Sequence, residues 1–460
     1  MATVSTTLRI KSKRLFDSIH NEKIKRNILQ AIPFWTASLI TGLFAVLYAK
    51  AFAYAEEMGL AVFHWHTWSL FIVAPICFIS AWWVVKKFAP NAVGSGIPQV
   101  MAAIELTAPR HKEKIKKLLS LRIIVIKVVS SMIFIFGGAV VGREGPTIQI
   151  AASVFRKIDE LLPKWWPKVS MRNMIMTGSA AGLAAAFNTP LGGIVFAVEE
   201  LTKMHISYFK KAIFTAVIIA GLTAQGLAGP YLYLGYPAID VLSKYIILAV
   251  IAVAVIAGLL GSGMAKIILM IYKWKAKFRF DWQHILYLIF CSLVIASLAF
   301  FVSESMLGSG KNIMTHTLFT ADKYSPWYLP ILRIIGSIFS FTAGGAGGVF
   351  APGLAAGASV GSMISGWFTL SPSDTNLLIL SGMVAFLTGI TRSPFTSAIL
   401  VLEMTDRHSL IFHLLIAGMI ASFVSIIIDK HSFYEHRKDF FMKRVLGEGE
   451  TAETDEEENL

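Results

Sequence analysis

Two carboxylate positions in this sequence lie at breaks in apolar segments. Glu144 belongs to residues 142–146 (GREGP), a predicted helix start that follows the apolar run 123–141. A carboxylate at a helix N-terminus can occupy the position of a free anion. Protonation removes its charge, so that it no longer competes with the anion for that position. This chemistry predicts coupling between a proton and an anion, whereas a static capping glutamate is the other interpretation.

The second position is the pair Glu199 and Glu200, at the end of a helical pattern that begins at Pro190. A helix from Pro190 to Glu200 is about 15 Å long, half of a bilayer core. Lysines between residues 203 and 211 favour a cytoplasmic position for this end. Neighbours on a helix point about 100° apart, so one of the two acids is expected to face the interior. The pair either relays protons from the cytoplasm or is an acid pair at the membrane edge.

Two other segments offer donors to an anion. Residues 94–98 (GSGIP) predict a helix start with free N–H groups and the neutral hydroxyl of Ser95, and an ordinary turn with a serine N-cap is the second interpretation. Residues 349–353 (VFAPG) follow the glycine-rich stretch 344–348 and offer backbone donors without an acid. Close packing through small residues is a second interpretation there, and both can hold.

Lys127 and Tyr434 are further polar side chains within or beside apolar segments. Lys127 lies in the middle of the run 123–141 and needs a partner there, as a structural counter-ion. Tyr434 follows the last span and is either an interfacial belt residue or a phenol donor to an anion. Cys77 and Cys291 lie inside apolar runs without metal-ligand spacing, so no metal or other cofactor is expected.

The composition identifies the class of protein that positions these groups. Of 460 residues, 55% are hydrophobic and 15% are charged, with a mean hydropathy of +0.64. A soluble domain carries about 25% charged residues, so a soluble enzyme, a disordered chain and a disulfide scaffold are excluded. The net charge of +14 comes from bases in short loops, which is the positive-inside pattern and not a nucleic-acid surface. We predict an all-α polytopic membrane protein with cytoplasmic termini and no cleavable signal peptide.

Apolar runs of two kinds alternate along the chain. Long runs predict membrane spans, and shorter or Gly/Pro-interrupted runs indicate a transporter site that protein surrounds at membrane depth. The predicted spans are 33–55, 67–85, 123–141, 212–229, 245–265, 285–303, 326–343 and 410–428. The short segments are 95–107, 144–156, 172–186, 190–201, 353–369, 376–390 and 394–404.

The chain also repeats itself, which predicts two homologous halves. In the best-matched pair of segments, Glu199 and Glu403 each follow a proline by nine residues. The recurring segments are 94–96 with 308–310, 137–154 with 344–360, and 182–199 with 383–403. The predicted organisation is a basic cytoplasmic segment (1–32), a first membrane repeat (33–201), a connecting span and loop (202–244), a second membrane repeat (245–405), a last span with a Tyr-bearing segment (406–440) and an acidic cytoplasmic tail (441–460).

Residues 94–98 (GSGIP), 142–146 (GREGP) and 347–352 (GGVFAP), followed by a late Tyr434, together resemble the ClC family of chloride channels and chloride/proton antiporters. The resemblance covers residues 33–440. It implies an all-α fold of two inverted-topology repeats, built from short, tilted and broken helices. It also implies a homodimer with one ion pathway in each subunit.

The resemblance assigns a role to each matching residue. Glu144 corresponds to the external gate and proton acceptor, and Glu200 to the internal proton-transfer residue. The implied chloride ligands are the hydroxyls of Ser95 and Tyr434 and the backbone N–H groups of Val349 and Phe350. The supporting positions are Gly94, Gly96, Pro98, Gly142, Arg143, Gly145, Pro146 and Lys127.

The predicted function is therefore chloride/proton antiport in a bacterial inner membrane, without enzymatic activity. A passive voltage- or pH-gated chloride channel is the alternative, although the family's channels usually carry an apolar residue where Glu200 stands. Ser95 suggests chloride, because nitrate-preferring relatives tend to carry proline there and fluoride relatives methionine; bromide and nitrate should also pass.

Gln99 and residues 431–434 (HSFY) depart from the family's usual pattern. The expected partners are chloride, protons, membrane lipid and a second copy of the chain, and no nucleic acid.

Overall fold

The computed structural model describes residues 22–108, 110–163, 165–201, 210–229, 232–368 and 370–447, and these ranges contain seventeen α-helices. Within them the only strand-like contacts are two isolated backbone bridges. In chain order the helices are α1 (Glu22–Trp65), α2 (Leu70–Phe88), α3 (Ile97–Glu105), α4 (Leu121–Phe136), α5 (Glu144–Leu161), α6 (Met171–Phe187), α7 (Pro190–Phe196), α8 (Lys210–Ala228), α9 (Ile246–Lys275), α10 (Asp281–Phe301), α11 (Lys311–Phe319), α12 (Tyr328–Ala343), α13 (Phe350–Gly366), α14 (Pro372–Thr391), α15 (Pro394–Thr405), α16 (Ile411–Ile428) and α17 (Phe433–Leu446).

Local sequence explains several of the helix ends. Asn188 and Arg392 adopt left-handed backbone conformations after α6 and α14, and a proline begins the next helix two residues later in each case. Proline suits a first helical turn because its missing N–H has no partner there anyway. The serines that cap helix N-termini with their side chains are Ser120, Ser170, Ser371 and Ser432.

Eight of the described helical segments are long and apolar enough to cross a membrane. They confirm seven of the predicted spans. The eighth prediction, 326–343, is a helix of only 16 residues, Tyr328–Ala343. Segment 376–390 was wrongly predicted to be too short, because α14 has 20 residues. The spanning segments are Lys25–Trp65, Thr67–Phe88, Lys112–Phe136, Lys211–Ala228, Ile246–Lys275, Asp281–Phe301, Pro372–Thr391 and His408–Ile428.

The centre of the molecule is packed through small residues. Helices α13 and α14 approach so closely that a Cβ on Gly357 would collide with the backbone of Gly382, and a Cβ on Gly382 would collide with Gly357. Close contact of this kind is typical of helices packed within membranes. It encloses most of α13 and α14 within the protein.

Helices α7 and α15 run antiparallel and cap each other. Glu199 follows α7 and accepts hydrogen bonds from the backbone N–H groups of Phe395 (3.2 Å) and Thr396 (2.6 Å), at the start of α15. Glu403 near the end of α15 accepts the N–H groups of Leu191 (3.1 Å) and Gly192 (2.7 Å), at the start of α7. Glu199 and Glu403 thus occupy positions related by a pseudo-two-fold axis, as expected for an inverted repeat.

The predicted domain boundaries stay a prediction. Most of the basic segment 1–32 and the acidic residues from Glu448 onward lie outside the described residues. Residues 441–446, which the sequence assigned to the tail, belong to α17.

Candidate functional site

Residues 94–96 form a tight loop at the start of α3. Gly94 and Gly96 have φ values of 63° and 100°, a region that favours glycine. A Cβ on Gly96 would also lie 2.7 Å from the Gln149 side chain and 2.9 Å from Lys127 Nζ. The loop is held by the second half of the chain, because Gly94 N donates to Gly345 O (2.9 Å) and Gly347 N donates to Gly94 O (3.1 Å).

Lys127 supports this loop from behind. Its side chain is fully buried in α4, and its Nζ donates to the carbonyl of Gly94 at 2.9 Å. The hydrogen-bond partner of Lys127 is thus a backbone carbonyl oxygen, whereas the sequence predicted that this lysine would be the counter-ion of a charged group. Arg333 on α12 does the same for the second Gly-Ser-Gly loop, donating to the carbonyls of Met306, Leu307 and Gly308.

The start of α5 lies against the Ser95 loop. Gly145 approaches so closely that a Cβ there would collide with Ser95 Oγ. The preceding backbone is fixed by a reciprocal bridge, in which Gly142 N donates to Gly348 O (2.8 Å) and Gly348 N to Gly142 O (2.6 Å). Pro146 continues the first turn of α5, as Pro98 does in α3.

The Glu144 carboxyl is enclosed at this helix start, with 1% of the residue exposed. The phenol of Tyr233 donates to Oε1 at 3.3 Å, and Oε2 has no hydrogen-bond partner among the described residues. Tyr233 lies in an irregular segment after α8, and no sequence pattern pointed to it. Arg143 precedes the carboxylate and lines the cavity beside it.

Glu56 also lines this cavity, and the acidic pair Glu56 and Glu57 after the first apolar run predicts that this side of the molecule is external. The cavity has a volume of about 280 Å³. Glu144 and Tyr233 lie in its wall with Arg143, Lys50 and Lys311. Basic side chains around the opening would attract anions toward the Glu144 carboxyl.

Two further helix starts complete the arrangement. Val349 and Phe350 are buried at the N-terminus of α13, where the first backbone N–H groups lack helical partners. Tyr434 is fully buried in the first turn of α17, with its ring 6.3 Å from that of Phe350 and its side chain beside Ser95. Within the described ranges, neither Ser95 Oγ nor Tyr434 Oη meets hydrogen-bond geometry with any partner. The geometry therefore brings together all the predicted donors.

The second Gly-Ser-Gly loop holds an anionic group. Gly308 and Gly310 have φ values of 73° and 86°, matching the first loop. The Glu56 carboxylate accepts hydrogen bonds from Ser309 N (2.6 Å) and from Ser309 Oγ (3.2 Å). The sequence did not predict this contact, because Glu56 lies in α1, far along the chain from the loop. It demonstrates that this loop geometry binds a carboxylate.

Glu200 lies in the part of the molecule that the loop charges place near the cytoplasm. It belongs to a π-helical turn, Ala197–Leu201, that continues α7. Such turns are frequent at functional sites. The Glu200 carboxylate is buried and accepts a hydrogen bond from Ser393 Oγ. Glu199 accepts backbone N–H groups from the first turn of α15, whose N-cap residue is Ser393, so both acids contact the start of this helix and Glu200 is the more buried of the two.

A family comparison identifies the class of this arrangement. The family model described as voltage gated chloride channel matches residues 76–426, more than half of the chain. The chain belongs to the voltage-gated chloride channel family. The matched range includes the first three helix starts of the site and both acidic positions, whereas Tyr434 lies beyond it.

Individual relatives agree with this membership over most of the chain. An H⁺/Cl⁻ exchange transporter ClcA of Cronobacter sakazakii is 27% identical over 413 residues, which cover 86% of this chain and 86% of the relative. The ClcA of Citrobacter koseri is 29% identical, with 84% of this chain and 83% of the relative covered. The ClcA of Salmonella typhimurium is 27% identical over 447 residues, with 91% and 89% covered.

Solved structures support the fold. A slow cyanobacterial Cl⁻/H⁺ antiporter superimposes with a TM-score of 0.78 at 22% identity, covering 92% of this chain and 99% of that structure. A CLC-type fluoride/proton antiporter gives a TM-score of 0.73 at 20% identity, covering 90% and 98%. The chain therefore has the ClC fold, with two inverted repeats of short and broken helices.

Proposed function

We propose that this protein is a chloride/proton antiporter. The observation that carries the proposal is the contact between the start of α5, which bears the buried Glu144, and the Ser95 loop, where a Cβ on Gly145 would collide with Ser95 Oγ and the buried Tyr434 lies alongside. Glu144 lines the cavity on the predicted external side, and Glu200 lies in the turn after α7, which the following lysines predict to be near the cytoplasm. An anion held at the hydroxyl pair would therefore have a proton-binding group on each side.

The proposed anion site uses neutral donors. Ser95 and Tyr434 supply hydroxyls, and the N-terminus of α13 supplies the backbone N–H groups of Val349 and Phe350. Neutral donors suit a transported ion because they bind it without holding it too tightly. The carboxylate of Glu56 on the second Gly-Ser-Gly loop supports this assignment, because it occupies the matching cradle.

The proposed exchange depends on competition between Glu144 and chloride. When ionised, Glu144 would take the external end of the anion site. When protonated, it would leave that end to chloride and carry its proton to the external cavity. Glu200 would supply protons from the cytoplasmic side, so that proton and chloride move in opposite directions.

The remaining expectations extend the same proposal. We infer that the protein transports ions and does not catalyse a reaction, and that it lies in a bacterial inner membrane with both termini in the cytoplasm. The family and the eight apolar helices support this inference. The family resemblance also supports a homodimer. Bromide and nitrate should pass as well, because a site of neutral dipoles discriminates weakly.

Wild-type protein in liposomes tests the exchange directly. A chloride gradient is imposed, the membrane potential is clamped with K⁺ and valinomycin, and external pH is recorded. We expect chloride movement to drive protons uphill in the opposite direction. Chloride flux without proton movement would instead assign a passive channel, the alternative function.

Ser95→Ala tests the anion site separately. A hydrogen bond to a charged group contributes about 1.5–3 kcal/mol, so loss of the hydroxyl should weaken chloride binding about tenfold or more. Nitrate spreads its charge over three oxygens and should lose less, so the anion preference should move toward nitrate. Ser309→Ala is the matched control in the second loop and should leave the preference unchanged. Equal effects of the two variants would contradict the site.

A further inference from the structure

A basic cavity lies between the end of α2, the start of α4 and the last turns of α5, on a face that the bases at 86–87 and 110–122 predict to be cytoplasmic. Its volume is about 520 Å³. Five basic side chains and one acid line it. They are Lys116, Lys117, Arg122, Arg156, Lys157 and Glu160.

The acid neutralises only part of the charge of this basic cavity. Glu160 pairs with Arg156 (2.5 Å) and with Lys157 (3.1 Å). Lys116, Lys117 and Arg122 line the same cavity and form no ion pair with the described part of the chain. The cavity thus retains an excess of positive charge, which an anion would neutralise.

Two structural features point to a bound anionic group. The first is the N-terminus of α4, where Ser120 caps one backbone N–H group and the others in the first turn lack helical partners and present the positive end of the dipole. The second is Arg156, of which only 5% is exposed. Its buried Nε has no hydrogen-bond partner in the described ranges, although a guanidinium nitrogen so buried ordinarily has one. A phosphate oxygen is a suitable acceptor for such a group.

The surroundings favour a phospholipid over a soluble anion. Leu121 lines the cavity and begins a stripe on α4 that continues through Val125 and Val129, at four-residue spacing. These side chains are 54%, 58% and 40% exposed, within a helix apolar enough to span a membrane. Phe88 at the end of α2 forms the neighbouring apolar wall. An acyl chain can lie along this stripe while its headgroup enters the cavity.

We propose that the basic cavity binds the headgroup of an anionic phospholipid in the cytoplasmic leaflet. The phosphate lies between the start of α4 and Arg156, among Lys116, Lys117 and Arg122, and an acyl chain follows the stripe from Leu121 to Val129. This inference goes beyond the proposed transport function and does not depend on it.

Hydrogen bonds connect the lipid site to the anion loop. Asn91 Nδ2 donates to the carbonyl of Lys117 (2.9 Å), and Gln149 Nε2 donates to the carbonyls of Leu118 (2.9 Å) and Asn91 (3.3 Å). Gln149 in turn packs against Gly96 beside Ser95. A headgroup in the cavity therefore stabilises the wall that supports the start of α3.

The test measures lipid binding to the purified, delipidated full-length protein. Phosphatidylglycerol, phosphatidylcholine and inorganic phosphate are each added, and retained lipid is measured by native mass spectrometry with the unfolding temperature alongside. We expect retention and a raised unfolding temperature with phosphatidylglycerol only. Stabilisation by inorganic phosphate to the same extent would overturn the lipid assignment in favour of a soluble anion.

A charge-matched pair of variants locates the site. Each basic side chain near an anionic lipid contributes about fivefold in affinity, so replacing Lys116, Lys117 and Arg122 by Gln should weaken phosphatidylglycerol binding roughly hundredfold. The control replaces Lys277, Arg279 and Lys430, which are exposed elsewhere on the predicted cytoplasmic face, and should retain binding. Equal binding by both triple variants would overturn the proposal. If the first triple variant does not fold, Arg122→Gln alone must still weaken binding about fivefold.

Discussion

Glu144→Gln is expected to abolish proton transport while chloride transport continues. Glutamine has nearly the shape of glutamate, so the hydrogen bond from Tyr233 can persist through the amide oxygen. The glutamine amide cannot take up or release a proton in the pH range of transport, and it carries no charge with which to compete for the anion site. The variant should therefore behave like a protein whose Glu144 is permanently protonated.

The measurement is paired chloride and proton flux from liposomes under a chloride gradient. Proton flux should fall to the background of protein-free liposomes, and chloride binding by calorimetry should not weaken, because the tethered competitor is neutral. Glu304→Gln is the control, since Glu304 is an exposed carboxylate paired with His64 on the same predicted face. Uphill proton movement retained by Glu144→Gln would rule out Glu144 as the external proton acceptor.

The sequence predicts the broken helices well because their starts are locally encoded. Gly96 must adopt a left-handed backbone conformation before α3, and Pro98 and Pro146 occupy first helical turns. These residues determine where a helix begins, whatever surrounds it. The starts of α3, α5 and α13 could therefore be predicted, and with them the backbone donors of the site.

Polar and glycine interruptions are a poor guide to helix length where a helix is surrounded by protein instead of lipid. The segment 376–390 contains Ser381, Gly382 and Thr388 and appeared too interrupted to span a membrane. In the structure every residue from Asp374 to Thr391 is buried. Such a helix needs no uniformly apolar surface, because neighbouring helices replace the lipid. The polar residues of α14 therefore led to a predicted segment that is shorter than the helix.

Contacts between distant segments could not be predicted from local patterns. Tyr233 reaches Glu144 from an irregular segment, and Glu56 reaches the second Gly-Ser-Gly loop from α1. The repeat did indicate that Glu199 and Glu403 are equivalent. Their reciprocal capping follows only when the halves are inverted, and similarity between two sequence segments does not reveal direction.

The two neighbouring acids of the proposed proton path both contact the start of α15, but through different groups. Glu199 already accepts two backbone N–H groups and the Thr396 hydroxyl (2.7 Å), so its carboxylate is committed to the start of α15. Glu200 is more deeply buried and accepts the hydroxyl of Ser393. We therefore expect Glu200→Gln to stop proton transport and spare chloride transport.

Glu199→Gln is the matched control for this prediction. Glutamine retains one acceptor oxygen at the α15 N-terminus, so the change should destabilise the protein by about 0.5–2 kcal/mol, as the loss of a helix cap does. Proton coupling should nevertheless persist, because the variant removes a cap and leaves Glu200 able to ionise. The comparison requires proton and chloride fluxes for both variants, with thermal unfolding measured alongside.

The reverse pattern, in which Glu199→Gln loses proton flux and Glu200→Gln retains it, would move the internal proton-transfer role to Glu199. Loss of proton flux in both variants would mean that protons enter through the pair as a unit, in which case the cap of α15 is also part of the proton path.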